Sequence, residues 1–522
     1  MPCCSPNCAP ASPCWEPAIA CSWSSSAPSR SWRSRSTTSP AGGRGGASRR
    51  SSGAPPPGPA RPLPAPADHG RLLGPEPPSR RSRSVSERPP LQVPGPHSGD
   101  LIARWERVEG AVTGHQAPVA WERASGVTVW DADGNEYLDW TSGVLVTNVG
   151  HAHPRLVAAI QDASGDLLNS YEFPTRRRVE AGEALLAHLP DHLDRCFFLT
   201  TGSEAVEAAM RLMKRHSGAY EVIGFHGAFH GRTAASAALG GLPVTKRGFG
   251  PTMPGVIQVP YPYAYRSPVA GGPAELVDYC MDRLDEAVRA NSTGSLAGLI
   301  VEPYLGTAGF IFPPEGYLAE LQNWARQRGI LFGTDEVQSG YGRTGRMWAF
   351  EWDGLQPDVV AIGKGLGSGY PVSAIAARAD LFGALERGDM SSSMGGNPVS
   401  SAAVTEVLRI MDDEQLVDNA FKMGAVMLER LREVQDRSAF VGDVRGRGLV
   451  MGLEIVADKR TKEPSRPVTL QLLDRAAARG LLIGAVGMFG NVVRVAPPLC
   501  ITEAEVHESV DRLAAALGDI VT

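Results

Sequence analysis

A lysine in an uncharged, glycine-rich run, AIGKGLGSGYP, stands 29 residues after an aspartate that closes an apolar run, GILFGTDEVQSGYGRTG. Lys364 and Asp335 make a pair with definite chemistry. A primary amine forms a Schiff base with an aldehyde. A carboxylate beside a pyridine nitrogen keeps that ring protonated, so that it accepts electrons from a carbanion; the two requirements together are those of pyridoxal phosphate. Lysine suits the first role because burial drives it toward the neutral amine, which arginine resists. The chain has six lysines (Lys214, Lys246, Lys364, Lys422, Lys459, Lys462) against many arginines, so Lys364 is not filler.

Two other runs carry groups that suit the same ligand. Thr201-Gly202-Ser203-Glu204 falls where the apolar RCFFLTT gives way to a helical pattern. A helix start presents free N–H groups and a partial positive charge, a natural seat for phosphate. Gly202 allows close approach and Ser203 offers a hydroxyl, although an N-cap is the simpler role for that serine. The run GAFHGRTAAS follows the apolar YEVIGF, which puts Phe229 and His230 on the same ligand-facing edge. Phe229 can stack on a planar ring. Arg232 supplies a planar fork suited to a carboxylate.

The elements that must position these groups alternate. RCFFLTT, YEVIGF, LAGLIVEP, GILFGTDEV and DVVAIG are short apolar runs separated by helix-sized stretches such as TGSEAVEAAMRLMKRHSG and PEGYLAELQNWARQRG. That alternation predicts a parallel sheet covered on both faces, with ligands beyond the carboxyl ends of its strands. Upstream, GVTVWDADGNEYLDW reads as a hairpin turning at Asp133-Gly134, followed by helices in HPRLVAAIQDASGDLL and RRRVEAGEALLAHL. Downstream, one long helix over PVSSAAVTEVLRIMDDEQLVDNAFKMGAVMLERLREV leads into VRGRGLVMGLEIV, a helix near Leu470 to Arg479 and NVVRVAPPL, a smaller α+β region.

At 522 residues the chain accommodates one large α/β domain and a smaller one. Residues 1–97 are rich in Ser, Pro, Arg, Gly and Ala with almost no apolar periodicity, which predicts a disordered leader. It is net basic and the remainder net acidic, so the overall charge of −5 averages two unlike segments. The leader reads either as an organellar transit peptide or as a mis-assigned start in a GC-rich genome. Five of the eight cysteines lie in it; Cys3, Cys4 and Cys8 lack a fourth spaced ligand, and no metal is expected. Cys196, Cys280 and Cys500 are scattered, which suits a reducing compartment: the cytoplasm, or the mitochondrion if the leader is a transit peptide. No apolar run reaches membrane-spanning length, and nothing in the acidic body calls for nucleic acid.

Across nearly all of 100–520 the chain resembles the class III (subgroup II) aminotransferases of the pyridoxal-phosphate fold type I group. The matching runs are GHAHP, TTGSEAVEAAMR, FHGRT, IVEP, TDEVQSGYGRTG, AIGKGLGSGYP, SSSMGGNP, DVRGRGLVMGLEI and VRVAPPL, in the family's order. The resemblance implies a mostly parallel seven-stranded central sheet in a large domain (151–397), a smaller α+β domain (398–522) and an N-terminal segment (98–150) packing with it. It implies that Lys364 is the Schiff-base lysine and that Asp335 pairs with the pyridinium nitrogen. Gln338 would bond the cofactor's phenolic oxygen, Gly202 and Ser203 the phosphate, and Phe229 the ring face. Ser393 stands where the family has a threonine that reaches the partner subunit's phosphate, which implies a homodimer with its site at the interface.

On the substrate side, Arg494 matches the arginine that holds an α-carboxylate, and Glu302 the glutamate that pairs with that arginine when no carboxylate enters. Arg232 resembles the distal-carboxylate arginine of 4-aminobutyrate aminotransferases. Two departures stand out: EPYLGTAGF replaces the family's EPVQGEGG, and Val144 replaces a larger aliphatic residue. The implied reaction is ping-pong transfer of an amino group from an amino acid or ω-amino acid to a 2-oxo acid such as 2-oxoglutarate. The run DVRGRGLVMGLEIVADKRTKEP, with YPYAYR, resembles dialkylglycine decarboxylase, but the polar partners that would orient a carboxylate for loss are replaced by Val144 and Phe229. Decarboxylating transamination, epimerisation or aminomutation on the same scaffold, and a non-enzymatic pyridoxal-binding regulator are the other readings.

Overall fold

The computed structural model describes residues 89–114 and 116–520. The leader's first 88 residues, with Cys3, Cys4 and Cys8, lie outside the described residues. After a helix at Pro96–Glu109, three short strands, β1 (Trp121–Ser125), β2 (Thr128–Asp131) and β3 (Glu136–Asp139), form an antiparallel meander. The β2–β3 turn falls at Asp133-Gly134. Asp131 fixes it by accepting the N–H groups of Asp133 and Asn135 at 3.0 and 2.8 Å, while Gly134 takes φ 81°.

The main sheet has seven strands: β4 (Arg195–Leu199), β5 (Glu221–Phe225), β6 (Val256–Val259), β7 (Leu296–Val301), β8 (Leu331–Asp335), β9 (Val359–Ile362) and β10 (Ser373–Ala377). Their order is β4-β10-β9-β8-β7-β5-β6, and β10 alone runs against its neighbours. Strands β5, β8, β9 and β10 are buried at every residue, as expected where helices cover both faces. The helix Gly202–Ser217 covers one face with a stripe including Ala205, Val206, Ala209, Met210 and Met213, and ends on Gly218 in the left-handed region. Because β4, β5, β7, β8 and β9 point the same way, their carboxyl ends share one edge.

Beyond the sheet, the single long helix expected over 398–434 is two. Pro398–Asp413 stops at the polar run Asp412-Asp413-Glu414, and Gln415 turns the chain at φ 51°. Leu416–Arg437 then starts a new apolar stripe of Leu416, Ala420, Gly424, Met427, Leu431 and Val434. Gly424 is there because its Cβ position lies against the Gly448 backbone, in the tight turn between β11 (Val441–Arg447) and β12 (Val450–Asp458). The second sheet runs β11-β12-β16-β15, with β13 (Glu463–Pro464) beside β12, and β15 (Gly484–Val486) and β16 (Val492–Val495) at its far side. The short β14 (Leu481–Leu482) leaves this region to pair in parallel with β3, tying the N-terminal meander to the C-terminal part of the chain. No helix among the described residues is long and apolar enough to cross a membrane.

Candidate active site

Five of the sheet's carboxyl ends open onto one cavity of about 290 Å³. From β4 come Gly202 and Ser203, from β5 Phe229, His230 and Arg232, from β7 Glu302, from β8 Asp335 and Gln338, and from β9 Lys364. Nine of the residues singled out in the sequence are therefore brought together.

Lys364 opens a short helical turn after β9 with φ 42°, a left-handed conformation that costs an L side chain on the order of 1–3 kcal/mol and is found where function fixes it. Its amine is held below the usual lysine range by burial, with Arg494 adding to the effect and the charges of Asp335 and Glu302 opposing it. Asp335, the last residue of β8, is 5 % exposed. One oxygen meets His230 Nδ1 at 2.7 Å and the other accepts the Val337 N–H at 3.0 Å. His230 is itself buried. Desolvation alone would lower its pKa, but the hydrogen bond and charge of Asp335 together with Glu302 hold it above the free value. The next carboxylate along, Glu336, is also sealed: it accepts from Ser339 Oγ (2.6 Å) and from the Ala349 and Phe350 N–H groups (3.1 and 2.8 Å), and burial pushes it up to about 7.

At the start of Gly202–Ser217 the N-cap is Thr201, not Ser203. Its hydroxyl accepts the Glu204 N–H at 3.2 Å, while the Glu204 carboxylate accepts the Thr200 and Thr201 N–H groups at 3.0 and 2.8 Å. The N–H groups of Gly202 and Ser203 are left without an acceptor among the described residues, and both residues line the cavity. A Cβ on Gly202 would stand 2.8 Å from Val337, and one on Gly231 would collide with Ser203 Oγ, so both glycines keep this end open.

These features fit pyridoxal phosphate. The free helix N-terminus suits a phosphate, the Asp335–His230 pair suits a protonated ring nitrogen, and Phe229 lies half-buried at the wall. His230 Nε2 and Gln338 Oε1 are buried polar atoms with no partner among the described residues, as expected of groups kept for a ligand.

Three predicted residues lie elsewhere. Arg494, on β16, and Val144 share a second cavity of about 960 Å³ with Thr141, Gly143 and apolar residues that include Ile102, Trp105 and Trp121. The Arg494 side chain, 5 % exposed, has no hydrogen bond or ion pair among the described residues, and burial pushes it down to about 10 against the opposing charge of Asp139. Gly484 opposite lacks the Cβ that would strike its guanidinium. Val144 adopts φ 71°, rare for a β-branched residue. Ser393 is exposed in the turn before Asn397 and lines neither cavity.

The implied pairing of Glu302 with Arg494 is not formed. Glu302 Oε1 accepts the Phe229 N–H at 2.7 Å and Oε2 the Gly306 N–H at 2.8 Å. Burial raises its pKa to about 7. Sequence reasoning missed Tyr304 and Thr307, which line the first cavity. Tyr304 is 2 % exposed and its hydroxyl has no partner among the described residues. The available signal was its place in EPYLGTAGF, two residues after Glu302, where the family's pattern is broken.

The chain is similar to proteins of one known family. The family model Aminotransferase class-III matches residues 110–517. An alanine/serine racemase of Pyrococcus horikoshii is 34% identical over 442 residues, covering 83% of this chain and 93% of its own. The 4-aminobutyrate aminotransferase of Mycobacterium tuberculosis is 34% identical over 451 residues, covering 84% of this chain and all of its own. Among solved structures, an amine transaminase from an uncultivated Pseudomonas species, in its PLP-bound form, superimposes with a TM-score of 0.74 at 29% identity, covering 78% of this chain and 97% of its own. The fold is that of the type I pyridoxal-phosphate enzymes, and the chain belongs to the class III aminotransferases, with pyridoxal phosphate as its cofactor.

Proposed function

We propose that this aminotransferase moves an amino group from an amino acid or ω-amino acid, with 4-aminobutyrate and glutamate the first donors to consider, to a 2-oxo acid such as 2-oxoglutarate by a ping-pong cycle. The observation that carries the reading is the convergence of Lys364, Asp335 and a free helix N-terminus on one cavity. Pyridoxal phosphate, when bound, supplies an aldehyde for the amino group and a ring that accepts electrons. Gly202 and Ser203 would hold its phosphate, Asp335 and His230 its ring nitrogen, Gln338 its phenolic oxygen and Phe229 its face. Lys364 Nζ, pushed toward the neutral amine by burial, is the base that removes the proton from the substrate carbon bearing the amino group. Arg494 takes the carboxylate on that carbon, Arg232 a distal one, and Val144 borders the substrate.

Ser393, exposed and outside both cavities of its own chain, fits a role in a partner's site, which supports a homodimer. The three scattered thiols, Cys196, Cys280 and Cys500, all free, support a reducing compartment such as the cytoplasm.

The test is a half-reaction. With the purified holoprotein, single donors are added without an acceptor and the cofactor's visible absorption is followed. The expected result is bleaching that a 2-oxo acid reverses. Similarity to a racemase makes the other outcome specific: no bleaching with any amine, and loss of optical activity in a single amino acid, would replace transamination with epimerisation.

A further inference from the structure

Glu302 stands where the resemblance expects a movable partner for Arg494, yet its surroundings hold it still. Both carboxylate oxygens are used by backbone donors, Phe229 N–H and Gly306 N–H, and the side chain is 6 % exposed. Swinging toward Arg494 would strand the buried Gly306 N–H and the part-buried Phe229 N–H without their acceptor. A buried donor left without an acceptor is penalised more than a made hydrogen bond is rewarded.

The donors cannot follow the carboxylate either. Gly306 heads a tight loop closed by Gly309 N–H and Phe310 N–H on its own carbonyl (3.0 and 3.1 Å) and by the reciprocal pair Leu305–Ile311 (3.0 Å each). Arg445 clamps the far side through two bonds to the Gly309 carbonyl (3.0 and 2.6 Å), and is itself anchored at 2.8 Å to Glu454, 1 % exposed. Gly306 also packs so closely on the Gln338 amide that a Cβ would overlap it. Arg494, meanwhile, is buried with no partner among the described residues.

We propose that Glu302 does not gate Arg494 but is a fixed positioning residue for Phe229 and the Gly306 loop. Arg494 therefore stays open, and the enzyme selects donors and acceptors that carry a carboxylate on the reacting carbon. This rests on the reading of Arg494 as a carboxylate seat. It narrows the donor class to α-amino acids and places ω-amines and 4-aminobutyrate among the poor donors.

Amino acids and the amines left by removing their α-carboxylate isolate the effect: glutamate against 4-aminobutyrate, alanine against ethylamine, leucine against 3-methylbutylamine. Half-reaction kcat/KM is measured for the wild-type holoenzyme and for Glu302→Gln. In every reacting pair the wild type should favour the amino acid by at least about tenfold, the value of a charge-assisted hydrogen bond. Glu302→Gln should leave that ratio within about threefold while shifting the cofactor's visible band, because Phe229 and Gln338 are disturbed. Equal rates within the wild-type pairs, or a selective loss of at least about tenfold on the amines in Glu302→Gln, restore the gate and overturn the proposal. The wild-type ratios decide the matter even if the variant does not fold. Absence of reaction with every compound is a different failure: it removes the aminotransferase reading, and this proposal with it.

Discussion

The two cavities are built differently. The first is walled by sheet ends, and its carboxylates are held in place: Asp335 by His230 and the Val337 N–H, Glu302 by two backbone N–H groups, with Glu336 sealed by three donors just behind. The second is assembled from the N-terminal segment, the 141–144 turn, the Leu482-Ile483 stretch and β16. Its chief polar group, Arg494, has no partner among the described residues. The difference separates two tasks. Chemistry that is the same for every substrate needs preorganised groups, whereas substrate choice needs a group whose partner arrives with the substrate.

That contrast can be broken most severely at Lys364. Lys364→Ala should lower the half-reaction rate by about 10³-fold or more while the protein still folds, because proton transfer alone is worth about 10²–10⁴; stopped-flow absorption with the best donor measures it. The next largest effect tests how tightly the region behind the first cavity is sealed. Glu336 has a folded pKa of about 7, above its unfolded value, so folding favours its neutral form and its contribution to stability falls as pH rises from about 4.5 to 7. Glu336→Gln removes that slope. Its stability relative to wild type should improve by about 3 kcal/mol between pH 5 and pH 8, read from urea melts at both pH values.

On the open side, Arg494→Ala should raise KM for carboxylate-bearing donors by about 10- to 100-fold. The visible band of the bound cofactor should shift less than in a cofactor-contacting variant, because the residue does not line that cavity and acts on it only through its charge near Lys364. A spectral change equal to that of a cofactor-contacting variant would erase the division between the two regions. The smallest effect is expected at Val144, whose left-handed backbone is strained. Val144→Gly should stabilise the protein by about 1 kcal/mol in calorimetry, with donor preference altered more than rate.

The sequence made the first cavity legible because each group there sits at the end of an apolar strand, and parallel strands deliver their ends to one edge. The second was less legible, since Arg494, Val144 and Trp105 are joined only by tertiary packing. Strand β10 was missed: SAIAA is short and alanine-rich, and its reversed course between β4 and β9 is fixed by pairing with distant segments. Strand β6 was missed too: it is only four residues long, and Gln258 interrupts its apolar run. The split at Gln415 escaped because apolar periodicity continues on both sides of it, in different phase. At residues 201–204 the pattern pointed to a capped helix, but which hydroxyl caps depends on the bonds that Glu204 makes back to Thr200 and Thr201.

The left-handed backbone at Lys364 has a consequence for anyone trying to harden this enzyme against heat. A position at φ 42° is one where glycine or asparagine is the more comfortable occupant. A search guided by folding stability alone will therefore favour replacing the one amine the reaction depends on. Thermostable variants selected without a turnover assay should accumulate changes at 364, and such libraries need residues 363–365 held constant from the start.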